Sequence, residues 1–309
     1  MFEIADYASG AAALFSRGSG RVHSVYRSTV NLECAGALYA LQPGSAPRTP
    51  ISLSVDVPAE EFSLLRLGRG DPVTCGETLR VGAYLFRASG AAERDHRLRR
   101  RGRAGDATLA ALRSVLRREI AAERGRSDFA DAALHLESGA GASRCRQLSS
   151  KGALGFFRAA REGECAAAAA ECASLIGLGA GLTPAGDDFN VGVLAVSWYL
   201  ESARSQELRG ALSREAGRLA RGTTDVSRAF LLAAAAGEFS SPLLGLFEPG
   251  ADGEALAGAV RAAMAVGHSS GLDTLCGVLL AAEALEGEAD LHQHIHVDIN
   301  GGSQNDCLQ

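Results

Sequence analysis

The chain has 309 residues, 47% of them hydrophobic and 22% charged, so it is long enough for two folded domains with apolar cores. Its net charge of −5 disfavours nucleic acid as a partner, and no window carries the roughly 18 uninterrupted apolar residues that a membrane-spanning helix needs. Seven cysteines without a C-x-x-C pair, and an N-terminus without a basic segment before its apolar part, predict a cytoplasmic protein with reduced thiols.

Short strand-like segments fill the chain from about residue 20 to residue 89. The segments "RVHSVYRSTVNLEC", "GALYALQ", "ISLSVDV" and "LRVGAYLFRA" are rich in β-branched and aromatic residues, and Pro, Gly and Asp separate them. Strands without long helices between them predict an antiparallel sheet or a small barrel. We assign residues 1–104 to this β-rich N-terminal domain, and we expect the arginine-rich stretch 93–103 to be a solvated connector.

The remainder of the chain has helical periodicity and is dense in alanine and leucine. Beyond a first helix at about 105–124, helices are predicted at about 184–201, 205–221, 225–237, 252–266 and 271–286. The predicted fold class is therefore α+β, with a larger alanine-rich, all-helical domain at 105–290 and a C-terminal tail at 291–309. In that tail His292, His294 and His296 alternate as metal ligands on one face of a strand would. The alternative is a disordered tail or an edge strand that binds no metal.

The segment "GLGAGLTPAGDD", residues 177–188, interrupts the helical pattern. A dinucleotide-binding loop would need a strand before it, whereas the preceding "EGECAAAAAECASLIG" predicts a helix. The segment instead matches the start of a helix, with Thr183 as a cap, Pro184 in the first turn and two acidic residues that complement the helix dipole. Capping alone does not explain the four glycines Gly177, Gly179, Gly181 and Gly186, because glycine is costly unless its backbone freedom or its small size is used.

A second segment, "GHSSGLDTLCGVLLA" at 267–281, aligns with "TPAGDDFNVGVLA" without a gap. The shared pattern is [AS]-G-x-D-x-x-x-G-V-L, in which an aspartate and a glycine four residues later lie on one helix face. We therefore predict two pseudo-symmetric helices that cross at their glycines, with their polar N-termini side by side. Chance similarity between alanine-rich helices is the alternative.

A third helix start, "RGTTDVSRAF" at 221–230, is also rich in glycine, hydroxyl groups and acid. Three such N-termini would form an anion receptor if they converged. The candidate binding residues are Gly179, Gly181, Thr183, Gly186, Asp187, Thr223, Thr224, Ser227, Ser269, Ser270 and Gly271, and the candidates for catalysis are His268, Asp188 and Asp273. The aspartates would orient the loops, bind an amide, or hold Mg²⁺ together with a phosphate ligand; no other cofactor and no metal site in the protein itself is predicted.

The blocks "LIGLGAGLTPAGDDFNVGVL", "TTDVS" and "VGHSSGLDTLCGVLL" resemble the signature blocks of the DUF2877 family, which includes the AllH-type subunit of oxamate carbamoyltransferase. The opening "GRVHSVYRSTVNLE" is also similar to the family's opening, and it adds His23 and Asn31 as secondary candidates. The chain has Ala180 where the family usually has proline and Ala185 where serine is usual, so one hydroxyl group is missing.

The resemblance implies a multi-subunit enzyme of anaerobic purine and ureide (allantoin) breakdown. In that reaction phosphate cleaves oxalurate to oxamate and carbamoyl phosphate, and the implied partners are one of these small anions and companion carbamoyltransferase subunits in an oligomer. Two other hypotheses remain from the residues themselves. In the first hypothesis, the chain is a non-catalytic scaffold whose Gly/Asp helices serve packing. In the second, it is a stand-alone hydrolase with Cys276 or Ser227 as nucleophile.

Overall fold

The structure, a computed structural model, describes residues 1–16, 18–98, 104–137, 142–248 and 253–285, with only the backbone described for 104–108. The predicted tail at 291–309, with its three histidines, lies outside these ranges. No helix within them is long and apolar enough to cross a membrane. The fold is α+β, with strands first and helices after them.

Eight strands close into a barrel at the start of the chain. They are β1 (Phe2–Ala8), β2 (Gly18–Val25), β3 (Val30–Cys34), β4 (Ala37–Pro43), β5 (Ser52–Val55), β6 (Pro72–Cys75), β7 (Thr78–Val81) and β8 (Tyr84–Arg87). Their order is β5-β4-β3-β2-β6-β7-β8-β1, and β1 also pairs with β5, which closes the barrel. A ninth strand, β9 (Ala92–Arg94), pairs with β1. The predicted N-terminal barrel is confirmed, although β1–β8 and β4–β5 are parallel pairs within it.

The first strand is a part of the barrel that the sequence pattern does not reveal. In β1 the buried positions alternate as Ile4, Asp6 and Ala8, so a carboxylate and a methyl group occupy places where large apolar side chains would signal a strand. Asp6 is 2% exposed, and Arg48 Nη2 donates a hydrogen bond of 2.8 Å to its Oδ2. The buried ion pair therefore allows β1 to complete the barrel despite its weak apolar alternation.

The second part of the chain is helical. A short helix, α1 (Ala59–Phe62), precedes it within the barrel region, and the others are α2 (Ala104–Ala122), α3 (Ala130–Ala133), α4 (Arg144–Glu162), α5 (Cys165–Ser174), α6 (Ala185–Tyr199), α7 (Ala203–Leu219), α8 (Asp225–Ala235), α9 (Ser241–Leu244), α10 (Gly253–Met264) and α11 (Ser270–Ala284). The predicted helix positions agree to within a few residues at each end. Gly163, with φ of 83°, ends α4 in the left-handed conformation that glycine adopts at no steric cost.

Helices α6 and α11 form the centre of the helical part and are buried along most of their length. A Cβ atom at Gly192 on α6 would overlap the carbonyl oxygen of Thr274 on α11, and one at Gly277 would overlap that of Phe189 on α6. These two contacts are equivalent under the sequence alignment of the two helices. The structure therefore confirms the predicted pair of neighbouring helices that cross at their glycines.

The barrel and the helices are joined by a short strand-like pairing. Leu98 N donates to Gly237 O and Phe239 N to His96 O, each at 2.9 Å. His96 is buried, and its Nδ1 donates to Phe239 O at 2.9 Å, while burial lowers its pKa. The stretch 93–103 is therefore not wholly the solvated connector that we expected, because its described residues contribute to β9 and to this pairing.

Candidate functional site

A cavity of about 370 Å³ lies between the barrel and the helical part. Its barrel wall consists of Thr29, Thr49 and Pro50. Its helical wall is largely apolar and consists of Leu182, Thr183, Asp188, Val191, Val226, Phe230, Glu238, Phe239, Ser240, Pro242, Leu243, Ala263, Val266, Gly267, Ser270, Gly271 and Thr274. A cavity of this size holds a small molecule. No local sequence pattern indicates the barrel wall. On the helical wall, Val226 and Phe230 are four residues apart, as neighbours on one helix face are.

The three predicted helix N-termini meet beside this cavity. Thr183 Oγ1 and Ser270 Oγ are hydrogen-bonded at 2.6 Å, which joins the start of α6 to the start of α11. Thr224 Oγ1 donates to Leu182 O, which joins the start of α8 to the loop before α6. The three loops that we expected to share a site are therefore in contact.

Asp187 holds two of these loops together. Its side chain is 1% exposed and accepts hydrogen bonds from Gly177 N at 2.9 Å, from Ser227 Oγ at 2.6 Å and from Thr223 Oγ1. These contacts occupy both carboxylate oxygens, and the residue does not line the cavity. Asp187, Thr223 and Ser227 thus form a buried network that fixes the wall of the cavity.

The backbone of the glycine loop explains part of its composition. Gly177, Gly179 and Gly181 have φ values of 79°, 123° and 100°, in the region that side chains other than glycine rarely adopt. Gly186 and Gly271 instead allow close approach, because a Cβ atom at either would overlap a carbonyl oxygen of the preceding helix end, Leu175 O or Ala263 O. The glycines shape the site, and of the glycines proposed to bind ligand only Gly271 lines the cavity.

Two buried polar atoms that belong to cavity-lining residues have no hydrogen-bond partner among the described residues. Asp188 Oδ2 and Thr49 Oγ1 are buried and have no hydrogen bond within the described part of the chain, and both residues line the cavity. Thr183 lines it as well, and its hydroxyl bonds Ser270 rather than capping α6, whose cap residue is Pro184 without a side-chain cap bond. A buried polar group without a partner is costly, so a ligand that hydrogen-bonds both atoms would relieve that cost.

The charge of the cavity restricts its ligand. Its lining contains the carboxyl groups of Asp188 and Glu238 and no lysine, arginine or histidine among the described residues. Burial raises the pKa of Asp188 well above its ordinary value, against the opposing effect of the Ser270 and Thr183 hydroxyls, and the nearby Asp273 raises it further. Asp188 is therefore protonated at a higher pH than an exposed aspartate, and in that form it donates a hydrogen bond and does not repel an anion.

Backbone N–H groups at the three helix starts are partly used within the protein. Gly186 N donates to Leu178 O at 2.9 Å, Gly271 N to Val266 O at 3.0 Å, and Ser227 N to Thr224 Oγ1 at 3.1 Å. These three amides do not serve an anion as the sequence pattern suggested. The helix dipoles still favour negative charge at this end of the cavity. Because the Thr183 and Ser270 hydroxyls bond each other, one of their two hydrogens remains for Asp188 or for a ligand.

Asp273 occupies the pseudo-symmetric counterpart of the Asp188 position but lies outside the cavity lining. It is fully buried, and Ser127 Oγ donates to its Oδ1 at 2.5 Å. Burial raises its pKa from 3.8 to about 7, although hydrogen bonds from Ser127 and Ser269 oppose the shift. The hydrogen bond from the candidate residue Ser269 thus lowers the pKa of Asp273 and favours its charged form.

The raised pKa of Asp273 predicts a pH-dependent stability. The folded state keeps a proton that the unfolded state releases, so the free energy of unfolding decreases as the pH rises from 3.8 to about 7. The Asp273→Asn variant lacks this proton and therefore this decrease. The free energy of unfolding of the variant minus that of wild type should rise by about 1 kcal/mol per pH unit between pH 3.8 and about 7. Urea unfolding at about pH 5 and about pH 8 measures it. The exposed substitution Asp56→Asn is the control, and a pH-independent difference for Asp273→Asn contradicts the prediction.

The predicted histidines lie outside the cavity lining. His268 is exposed, and its backbone carbonyl accepts from Arg126 Nη2 at 2.7 Å. His23 on β2 reaches the helical part, where its Nε2 lies 3.0 Å from Asp225 Oδ2. Its Nδ1 lies 3.0 Å from Ser24 Oγ, which also accepts from Asn31 Nδ2 at 3.0 Å. Asp225 directly precedes the cavity residue Val226 on α8, but its side chain does not line the cavity.

The hypothesis of a stand-alone hydrolase finds little support in the geometry. Cys276 is fully buried, and burial raises the pKa of its thiol strongly, so it is a poor source of thiolate. Ser227 is buried, and its hydroxyl donates to Asp187 rather than to a base. Within the described ranges no three His, Cys, Asp or Glu residues come together as metal ligands would.

Comparison with known families covers both parts of the chain. A family model described as oxamate carbamoyltransferase subunit AllH matches residues 175–282, and a model described as the AllH family N-terminal domain matches residues 5–93. The chain belongs to the AllH family. The first of these models covers α6, α8 and α11 up to residue 282, and the AllH N-terminal model covers Thr29, Thr49 and the other barrel groups beside the cavity. No solved structure matches the chain.

Proposed function

We propose that this chain is a subunit of an oxamate carbamoyltransferase-type enzyme and that the cavity between barrel and helices binds its small anionic substrate. The proposed reaction, in anaerobic ureide and purine breakdown in the cytoplasm, is the cleavage of oxalurate by phosphate to oxamate and carbamoyl phosphate. The observation that supports it most is the pair of unpartnered buried atoms, Thr49 Oγ1 and Asp188 Oδ2, on opposite walls of one cavity.

The chemistry of oxalurate fits these walls. Its carbamoyl end is a neutral group with N–H donors and a carbonyl acceptor, which match the hydroxyl of Thr49 and the protonated carboxyl of Asp188. Its carboxylate would lie at the Thr183 and Ser270 hydroxyls, where the dipole of α11 favours negative charge. The apolar residues of the helical wall would exclude water and strengthen both sets of contacts.

Transfer of the carbamoyl group joins its carbon to a phosphate oxygen and breaks its bond to the oxamate nitrogen, which gains a proton. Positioning and charge stabilisation carry most of such a step. His268 and the pair of His23 and Asp225 lie outside the described cavity lining, so in this proposal they exchange protons with the substrate through water, and Asp273 is a buried support. Because the described cavity lining has no basic side chain, we propose that companion subunits supply the cationic groups for phosphate, with or without Mg²⁺.

The alternative is a non-catalytic scaffold. The crossing of α6 and α11 favours it in part, because Gly192 and Gly277 serve packing. Two unpartnered polar atoms in residues of one cavity, the Asp188 oxygen and the Thr49 hydroxyl, favour a bound ligand over packing alone. We therefore favour a substrate-binding subunit.

Ligand binding to the full-length chain tests the proposal by thermal shift with oxalurate, oxamate, carbamoyl phosphate and phosphate. A ligand at a hundred times its Kd should stabilise the protein by about 2.7 kcal/mol. Thr49→Val removes one hydrogen bond with little change in shape, and it should raise the Kd of oxalurate about fivefold. Thr74→Val, on an exposed position of β6, is the matched control. No stabilisation by any ligand, alone or with companion subunits, or equal affinities for wild type and Thr49→Val, would contradict the proposal.

A further inference from the structure

A second cavity, of about 480 Å³, lies wholly within the helical part. It is lined by Arg113 and Arg117 of α2, His135 after α3, Phe157 and Arg161 of α4, and Glu283 of α11. We refer to it as the arginine pocket. The two cavities share none of their described lining residues, and Glu283 is separated from Ser270 by about 20 Å along α11 at 1.5 Å per residue.

Positive charge dominates the lining of the arginine pocket. Its six described lining residues include three guanidinium groups and one carboxylate, in a chain whose net charge is −5. Arg113 and Arg117 are four residues apart on α2, a spacing at which like charges repel each other on a helix face. Arg161 adds a third positive charge from α4.

Glu283 orients two of the cationic groups. Its side chain is 11% exposed; Oε1 accepts from Arg117 Nη2 at 2.6 Å, and Oε2 lies 2.8 Å from His135 Nε2. A guanidinium has five N–H donors, so this contact holds Arg117 in place and still leaves it capacity for an anion. The Arg117 side chain remains 44% exposed toward solvent.

The conformation of His135 is unusual for a residue in a surface turn. Its φ of 55° lies in the left-handed region that favours glycine, and its ring packs against Phe157 with ring centres 4.7 Å apart. The Arg161 guanidinium lies 5.7 Å from the centre of the same Phe157 ring. His135 lies just after the end of α3, where Leu136 N donates to Asp131 O at 2.8 Å, so its left-handed conformation ends that helix and places its ring against Phe157.

We propose that the arginine pocket binds a small anion with at least two negative charges, and that its chemical class is a phosphate-bearing compound. Planar guanidinium groups match phosphate oxygens in pairs, and the volume is in the range of small-molecule sites. All six lining residues fall outside segments 5–93 and 175–282, which match the AllH family models. The site is therefore separate from the proposed oxalurate site and does not depend on it.

Calorimetric titration of the full-length chain with inorganic pyrophosphate, at constant ionic strength, tests this site. We expect saturable binding that is weaker by about tenfold in Arg161→Gln and in Arg113→Gln, because each removes a charge-assisted contact. Arg158→Gln, on an exposed position of the same helix α4, should bind as wild type does. Thr49→Val should also leave pyrophosphate binding unchanged, which separates this site from the cavity between barrel and helices.

Three results would overturn the proposal. They are the absence of saturable pyrophosphate binding, equal affinities of Arg161→Gln and Arg158→Gln, and binding of a polyglutamate peptide through the same arginines without binding of pyrophosphate. The last would assign the pocket to an acidic protein segment. Thermal unfolding of each variant checks that it folds, and two separate arginine variants keep the test decisive if one of them does not.

Discussion

Replacement of Gly192 by alanine should destabilise the protein by about 3 kcal/mol or more. The added methyl group would overlap Thr274 O and lie 2.8 Å from Val278 N, and both are backbone atoms of the fully packed helix α11. Neither can rotate away, so α6 and α11 must separate and the core between them must open. The free energy of unfolding from urea denaturation measures the loss.

The matched control is Gly258→Ala in the middle of α10, where an added methyl group meets no atom within 4 Å. There alanine should raise the free energy of unfolding by about 0.5–1 kcal/mol, because glycine is the poorer helix former. Similar effects at the two positions would mean that α6 and α11 do not cross at Gly192.

The Asp187→Ala variant should lose about 3 kcal/mol or more of stability and should also lose ligand binding. The substitution removes the acceptor of three donors, the buried Ser227 Oγ and the partly buried Gly177 N and Thr223 Oγ1. It therefore loosens the loop that precedes α6 and the start of α8 together. Urea unfolding measures the first effect, and oxalurate titration at a temperature where the variant is folded measures the second.

Asp56→Ala, on an exposed position after β5, controls for the loss of a carboxylate and should change stability by less than about 0.5 kcal/mol. An Asp187→Ala variant as stable as Asp56→Ala would show that the buried network does not hold the loops.

The sequence predicted those features that depend on local periodicity or on a repeated pattern. The barrel, the helix positions and the crossing of α6 and α11 follow from alternation, from helical spacing and from the shared Gly and Asp positions. It could not separate the roles of Asp187 and Asp188. The two are adjacent in sequence, but on a helix successive side chains point about 100° apart, so one enters the buried network and the other the cavity.

Long-range contacts account for what the sequence did not reveal. Thr49 and Thr29 lie in barrel loops far along the chain from α6, and nothing in their local pattern indicates that they complete a cavity. Thr183 was expected to cap α6, yet its hydroxyl bonds Ser270, because α11 approaches more closely than local pattern can show. The contact between His23 and Asp225 likewise forms only because the barrel packs against the helices.

The central claim is that the substrate lies between Thr49 and Asp188, and a crystal structure of the full-length chain with oxalurate or oxamate tests it most directly. We predict ligand density in contact with Thr49 Oγ1, Asp188 Oδ2 and the Ser270 hydroxyl, and no such density in crystals of Thr49→Val under the same conditions. An ordered ligand bound elsewhere, with this cavity empty at a concentration that saturates binding in solution, would contradict the account.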